Sequence, residues 1–524
     1  MDENYSDEYS INSLQRRSLT YGGPKHDPAL DVSSRPSRSW MQSSIVIARI
    51  PFNSITPGLL DLRPFTESGL AVNGTGIPNV DFDIGESYAG LLPISSAPNA
   101  SELYFWFFPS SNPNATDEIT IWLNGGPGCS SLEGFLQENG PVLWQYGTYK
   151  PVRNPWSWTN LTNMIWVEQP VGTGFSQGTP TATNEEEVAA QFLGFFKNFV
   201  DTFGLYNKKI YITGESYAGY YVSYIADAML NTNDTTYYDV ESIMLYDPSV
   251  TYDVIQQQIP AVPFVDFHHN LFPLNATFME DIHARADSCG YTDFMNTVLT
   301  YPPPSPLPSA PNASVSGCDI WTDIYFAVSL VNPCFDIYQV ATTCPLLWDA
   351  LGFPGSFPYV PEGANVYFNR TEVQEAINAP IQEWEMCSNG VLDLDTSLPA
   401  GLSVLPSVIE RTKRTVIAHG NLDYILIANG TLLMIQNMTW GGAQGFQTEP
   451  TEEFFVPYHD EASLSTLAGA GVMGIAHTER KLTWIETFLT GHMVPQYAPS
   501  AAYRQLEFLL GRIDDLSERG SFTT

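Results

Sequence analysis

Between residues 163 and 213 the chain switches twice between two kinds of periodicity. "NMIWVEQP" and "KKIYIT" are short β-rich runs, and between them "NEEEVAAQFLGFFKNFVDTF" carries apolar residues at helical spacing behind an acidic first turn. Strand, helix, strand in that order implies parallel strands joined by a crossover helix, since parallel neighbours cannot be closed by a tight turn. This stretch restricts the fold to α/β with a doubly wound, mostly parallel sheet. "LYFWFF" and "ITIWLN" upstream, and "ESIMLYDP" and "RTVIAHGN" downstream, supply further strands.

The second run leads into "TGESYAGYYVSYIADAML", in which a serine flanked by glycines stands between a strand and a plausible helix. That is the pattern of a nucleophile elbow, where a strained turn exposes the serine and demands small neighbours, here Gly214, Ala218 and Gly219. The hexapeptide GESYAG also occurs at residues 85–90, but there Leu91, Leu92 and Pro93 follow and leave no helix for an elbow to enter. Ser216 is therefore the candidate nucleophile, and Ser87 is expected to be structural, in a turn between two strands.

Upstream, "WLNGGPGCSSLEG" ends a strand at Trp122 and Leu123 and continues as a loop with bare backbone N–H groups. Glycines let such a loop approach a developing oxyanion, so Gly126 and Tyr217, the residue after the nucleophile, are the candidate donors. No Lys-Ser/Thr follows the glycines, which excludes a phosphate loop. Downstream, "AHGNLDYILIANG" places Asp423 just past a strand, and "TGHMVPQYAP" places His492 in a loop before the last helix. Ser216, Asp423, His492 is the chain order of the α/β-hydrolase triad. His419 and His477 are rival bases without a matching loop.

Length and pattern favour one inflated domain over several: a flexible extension at residues 1–45, a first part of the α/β core at 46–247, an insertion at 248–361 and the second part of the core at 362–524. In the insertion the strand rhythm stops, four cysteines gather and "YPPPSPLPSAPNAS" forbids helix or central strand, so a cysteine-stapled, partly helical lid is expected. The formal charge of −35 argues against nucleic acid or anionic membrane as partner and suits an acidic compartment. Six cysteines without CxxC spacing favour disulfides over zinc. Eleven Asn-x-Ser/Thr sequons, at Asn4, Asn73, Asn99, Asn114, Asn160, Asn233, Asn275, Asn312, Asn369, Asn429 and Asn437, point the same way, to a secreted or vacuolar glycoprotein. The N-terminus shows no apolar core of a signal peptide, and no run of about 18 apolar residues offers a membrane anchor.

Six blocks in one order, "WLNGGPGCSSLEGF", "ENGP", "VEQPVGTGFS", "YITGESYAGYY", "HGNLDY" and "GHMVP", resemble the serine carboxypeptidases, over about residues 87–503. The resemblance implies an α/β-hydrolase fold, with Ser216 as nucleophile, His492 as general base and acid, Asp423 as its orienting partner and Gly126 with Tyr217 as oxyanion hole. It further implies recognition of a peptide's C-terminal carboxylate by Asn124, Gly125, Glu138 and Glu215, with Trp122 behind them and Met493 alongside. Glutamates facing a carboxylate cannot all be ionised, so protons must be shared and an acidic optimum is expected. A Cys129–Cys387 disulfide is also implied. For the other four cysteines three pairings are open, with nested Cys289–Cys344 and Cys318–Cys334 favoured. Two departures stand out: Glu168 where the family more often has Asp, and "LYDPSV" in place of a small, Asn-containing turn.

The expected function is thus an exopeptidase that removes C-terminal residues through an acyl-enzyme, without metal or cofactor. The alternatives are a serine carboxypeptidase-like acyltransferase using the same triad, and a catalytically silent binding protein. An intact triad weighs against silence, and paired Glu138 and Glu215 weigh toward carboxylate-ended peptides.

Overall fold

The computed structural model of the protein describes residues 69–355, 358–459 and 469–524. The extension expected at residues 1–45 and the Asn4 sequon lie outside the described residues. The strands of the central sheet are β1 (Tyr88–Pro93), β2 (Glu102–Phe108), β3 (Glu118–Leu123), β4 (Asn163–Glu168), β5 (Lys209–Glu215), β6 (Asp239–Tyr246), β7 (Arg414–Gly420), β8 (Glu452–Val456), β9 (Gly471–Glu479) and β10 (Leu482–Thr487). They lie side by side in the order β1-β2-β4-β3-β5-β6-β7-β10-β9-β8. The six from β4 to β10 in that order are parallel, and antiparallel pairs finish both edges.

The near-continuous apolar runs follow from burial on both faces. Along β2, Phe105 and Phe107 join one core cluster while Tyr104, Trp106 and Phe108 join the other. Helix α2 (Glu185–Phe203) covers the first face with buried Phe192, Phe195, Phe196 and Phe199, at helical spacing. Its first N–H groups are capped by Asn184, whose Oδ1 accepts from Glu187 N at 2.9 Å, and Gly204 ends it at φ 64°. The Phe199 ring meets Phe105 and Phe107 at 5.5 and 5.1 Å between centroids. Each ring so buried contributes about 1.5–3 kcal/mol.

The insertion is helical, with α4 (Ala261–Phe267), α5 (Ala276–Ser288), α6 (Tyr291–Val298) and α7 (Ile320–Val331) around a third apolar cluster. It does not stand apart from the sheet. Trp321 of α7 stacks on Tyr424 at 5.2 Å and donates from Nε1 to the Tyr424 carbonyl at 2.8 Å, which pins the segment following β7.

Two expectations need correction. The insertion's disulfides are Cys289–Cys318 and Cys334–Cys344, sequential and not nested. Helix α7 separates Cys318 from Cys334 by its 12 residues, about 18 Å of rise, far beyond the span of a disulfide. The first GESYAG copy is not a turn between strands either. Its Tyr88, Ala89 and Gly90 already belong to β1 and pair with Phe107, Trp106 and Phe105. A bend at Glu86, preceded by Gly85 at φ 88°, leads into the strand.

Candidate active site

Strands β5 and β6 end at one level, since Glu215 pairs with Tyr246, and β7 runs two residues past the Ala418 that pairs with Tyr246. The residues that follow them, Ser216, Asp247 and Asp423, therefore gather at the carboxyl edge of the sheet, where open α/β sheets place their ligands. Ser216 stands between β5 and helix α3 (Ala218–Thr232) at φ 61°, in the left-handed region that a side chain rarely occupies. Such a conformation costs about 1–3 kcal/mol and persists only where the surroundings impose it. Here they do. Ser216 N donates to Tyr246 O at 3.0 Å, while its carbonyl accepts from Gly219 N and Ser249 N, both at 2.9 Å. A Cβ at Gly219 would lie 2.4 Å from Ser249 O and one at Gly214 2.6 Å from Leu123 O, so both small residues are required.

The loop after β3 lies against this elbow. A Cβ on Gly125 would come within 2.5 Å of Tyr217 N, so only glycine allows the approach that brings the Gly126 and Tyr217 backbones to one place. Gly126, at φ 114°, and Gly128, at φ 83°, turn the loop, and Gly128 N donates to the Tyr221 hydroxyl at 3.3 Å. The Cys129–Cys387 bridge fastens it to the second part of the core, reinforced by Ser130 N to Met386 O and Ser388 N to Gly128 O, both 2.8 Å.

His492 enters from the segment between β10 and the short helix Val494–Tyr497. Its Nδ1 is 2.8 Å from Asp423 Oδ2, while Nε2 has no hydrogen-bond partner and lines the same cleft as Ser216. Asp423 Oδ1 accepts from Ile425 N at 2.9 Å and Leu426 N at 3.3 Å. Tyr338, from the insertion, holds the imidazole in two ways that sequence patterning did not reveal. Its carbonyl accepts from His492 N at 2.7 Å and its ring lies 5.1 Å from the imidazole. Of the rival histidines, His419 is fully buried within β7, where burial lowers its pKa to about 3, and His477 lies out on β9.

Beside the elbow three carboxyls converge. Ligand oxygens of Glu133, Glu138 and Glu215 lie within 4.8 Å of one another, all buried. Asn124 Nδ2 points into them, donating to Glu133 and to Glu215 Oε1, the latter at 3.0 Å, with Glu138 Oε1 at 3.5 Å. Trp122 Nε1 fixes that amide by donating to Asn124 Oδ1 at 2.7 Å. Burial raises all three carboxyls well above the usual range, and each is pushed further by another of the three. Among the residues lining the cleft there is no Lys or Arg. Glu138 Oε2 and Glu215 Oε2 lack hydrogen-bond partners. A site so built holds protons to higher pH than ordinary carboxylates do, and a protonated carboxyl there can donate a hydrogen bond to an incoming anion. Glu133, on helix α1 (Leu132–Gln137), was not anticipated. Asn124, Gly125, Gly126, Glu133, Glu215 and Met493 line the cleft together with Ser216 and His492, whereas Glu138 and Trp122 are not among the lining residues and meet it through the Asn124 amide.

The serine carboxypeptidase family matches residues 78–511. The chain belongs to that family. A probable serine carboxypeptidase of Arthroderma benhamiae is 65% identical over 462 residues, covering 86% of this chain and 87% of the relative. The serine-type carboxypeptidase F of Aspergillus niger is 47% identical over 460 residues, covering 84% and 86%. Among solved structures, the prohormone-processing carboxypeptidase Kex1 of Saccharomyces cerevisiae superposes with a TM-score of 0.67 at 23% identity, over 86% of this chain and 98% of that one, which is a likeness of fold. This protein is thus a serine-type carboxypeptidase, a hydrolase on the α/β-hydrolase fold. No helix among the described residues is long and apolar enough to cross a membrane.

The two departures from the family pattern are both buried. Glu168 ends β4 and accepts from Ser130 Oγ, Phe175 N and, at 3.3 Å, Trp384 Nε1; burial lifts its pKa to about 7. Asp247 follows β6 directly beneath the histidine–aspartate pair.

Proposed function

We propose that this carboxypeptidase removes single residues from peptide C-termini, with Ser216 as nucleophile. The substrate's terminal carboxylate sits against Asn124, Gly125, Glu138 and Glu215, receiving hydrogen bonds from the amide and from the protonated carboxyls. Glu133 completes that proton-sharing set. With the terminus held there, the last peptide carbonyl lies over Ser216, because Glu215 immediately precedes it. Ser216 Oγ attacks, His492 Nε2 takes its proton, and the oxyanion rests on the Gly126 and Tyr217 N–H groups. His492 then protonates the leaving amine, and water releases the acyl group by the reverse path. Asp423 keeps Nδ1 of the imidazole protonated throughout.

The observation that carries this reading is the 3.0 Å contact from Asn124 to Glu215, which couples an anion-accepting carboxyl cluster to the residue before the elbow. We assign residues 46–247 and 362–524 to one catalytic core and 248–361 to the lid that supplies Tyr338. Export to an acidic compartment is supported by three disulfides and by the exposure of the sequons at Asn73, Asn99, Asn114, Asn233, Asn275, Asn312, Asn369 and Asn437, with Asn160 and Asn429 half-buried. Incubation with an N-blocked dipeptide at about pH 4 to 7 tests the activity. Free C-terminal amino acid should appear, and an amide of the same peptide should be a poorer substrate at low pH.

A further inference from the structure

Asp247 is a buried carboxyl that the reaction above does not use. It is fully buried, at φ 42°, and its ligand oxygen lies within 4.8 Å of those of Asp423 and His492. Asp247 Oδ1 accepts from Gly420 N at 2.8 Å, and His419 Nδ1 stands 3.2 Å from the same oxygen without completing a hydrogen bond. Asp247 Oδ2 has no hydrogen-bond partner. The charged and titratable groups that face it are Asp423, His492, His419 and, further off, Glu215.

Two fully buried carboxyls this close do not both ionise readily, so one keeps a proton. The donors decide which. Asp423 receives three N–H groups, from Ile425, Leu426 and His492, whereas Asp247 receives one, from Gly420. More N–H donors favour the charged form, so Asp423 is the carboxylate and Asp247 the acid. The same burial and the Asp423 charge raise Asp247 well above the carboxylate range.

We infer that Asp247 is a positioning residue: its protonated carboxyl donates from Oδ2 to Asp423, locking the carboxylate that orients His492. A neutral donor satisfies the otherwise orphaned oxygen and adds no second negative charge beside the imidazole. This inference rests on the triad reading given above.

The positive φ supplies the variants, because Gly, Asn and Asp all accept it without the strain other residues incur. Asp247→Gly deletes the carboxyl, and Asp247→Asn keeps its shape, with an amide N–H as donor and the amide oxygen for Gly420 N. Steady-state kinetics of both on a blocked dipeptide at about pH 5, beside wild type and Ser216→Ala, give the test. Asp247→Gly should lose about 10–100-fold in kcat with KM within about twofold, and Asp247→Asn should recover kcat to within about threefold of wild type. The inference is overturned if Asp247→Asn is as impaired as Asp247→Gly, if Asp247→Gly keeps wild-type kcat, or if its loss lies in KM. Should Asp247→Gly not fold, Asp247→Ala takes its place as the deletion: its kcat should fall about 10-fold or more while that of Asp247→Asn stays within about threefold of wild type, and wild-type kcat in Asp247→Ala, or an equal loss in Asp247→Asn, overturns the inference. Activity persisting in Ser216→Ala would instead sink the triad reading itself.

Discussion

Asn124 Nδ2 lies 3.0 Å from Glu215 Oε1, so the residue that follows β3 touches the residue that immediately precedes Ser216. In the proposed reaction carboxylate recognition and nucleophile would thus sit at the ends of two adjacent strands, and the distance from a peptide's terminus to its scissile bond would be set by the pairing of Leu123 with Gly214. A rigid sheet, not a mobile loop, fixes the cut at one residue.

Ser216→Ala should lower kcat by about 10⁴-fold or more, while Ser87→Ala keeps most of it. Ser87 is buried at the start of an edge strand, with no histidine within its hydrogen bonds, and its carbonyl serves only Val72 N at 2.9 Å. Paired assays of the two variants with circular dichroism as a folding control check this; equal loss in both would remove Ser216 from its role.

The carboxyl cluster predicts how KM changes with pH. Glu133, Glu138 and Glu215 all hold protons above the ordinary carboxylate range, so they donate to a bound carboxylate in acid and cease to do so as pH rises through their raised values. KM for free-acid peptides should climb from acid toward and beyond neutral pH, and for amidated peptides it should stay flat or fall. The Glu138→Gln/Glu215→Gln double variant leaves only Glu133 to titrate there and should flatten most of the free-acid profile. An unchanged profile in that variant would disprove carboxylate recognition by this pair.

Stability should run the same way. A carboxyl whose folded-state pKa is raised binds its proton more tightly when folded, so its stabilisation is complete below the unfolded value and is lost as pH rises through the folded one. For Glu168 the window runs from the usual 4.5 to about 7. Over that window it accounts for a loss of about 3 kcal/mol. Melting temperature should therefore fall between about pH 4.5 and 7, less steeply in Glu168→Gln. Calorimetry across that range reads it, and a melting temperature rising toward neutral pH would contradict it.

Cys129–Cys387 closes 258 residues and carries the backbone pairing that holds the glycine loop. Replacing both cysteines by serine should cost about 2–5 kcal/mol of stability and reduce kcat, because the Gly126 donor loses its brace. Opening Cys334–Cys344, which spans only 10 residues, should cost less. Thermal melts of the two double variants, with thiol counting by mass spectrometry, give the comparison.

The alternation of strand and helix around residues 163–213 was legible because local periodicity and tertiary packing agree there: α2 buries the phenylalanines its spacing aligns. The elbow was legible for a different reason. Steric exclusion leaves few residues able to stand at residues 214–219, and the contacts at Gly214 and Gly219 bear that out. What stayed hidden depends on contacts between distant segments. Tyr338 holds His492 from 154 positions away in a helical insertion whose pattern speaks only of its own core. The disulfide partners of Cys318 and Cys334 were set by the length of the helix between them, which composition does not order. Glu133 sits on a helix whose residues are all buried, so no polar face marked it.

The most direct test of the central claim is mass spectrometry of an N-blocked peptide of mixed sequence during incubation with wild-type enzyme and with Ser216→Ala. The wild type should yield a ladder that shortens by one C-terminal residue at a time, with no internal fragments, and Ser216→Ala should leave the peptide intact. Internal cleavage by the wild type, or an equal ladder from folded Ser216→Ala, would contradict the account.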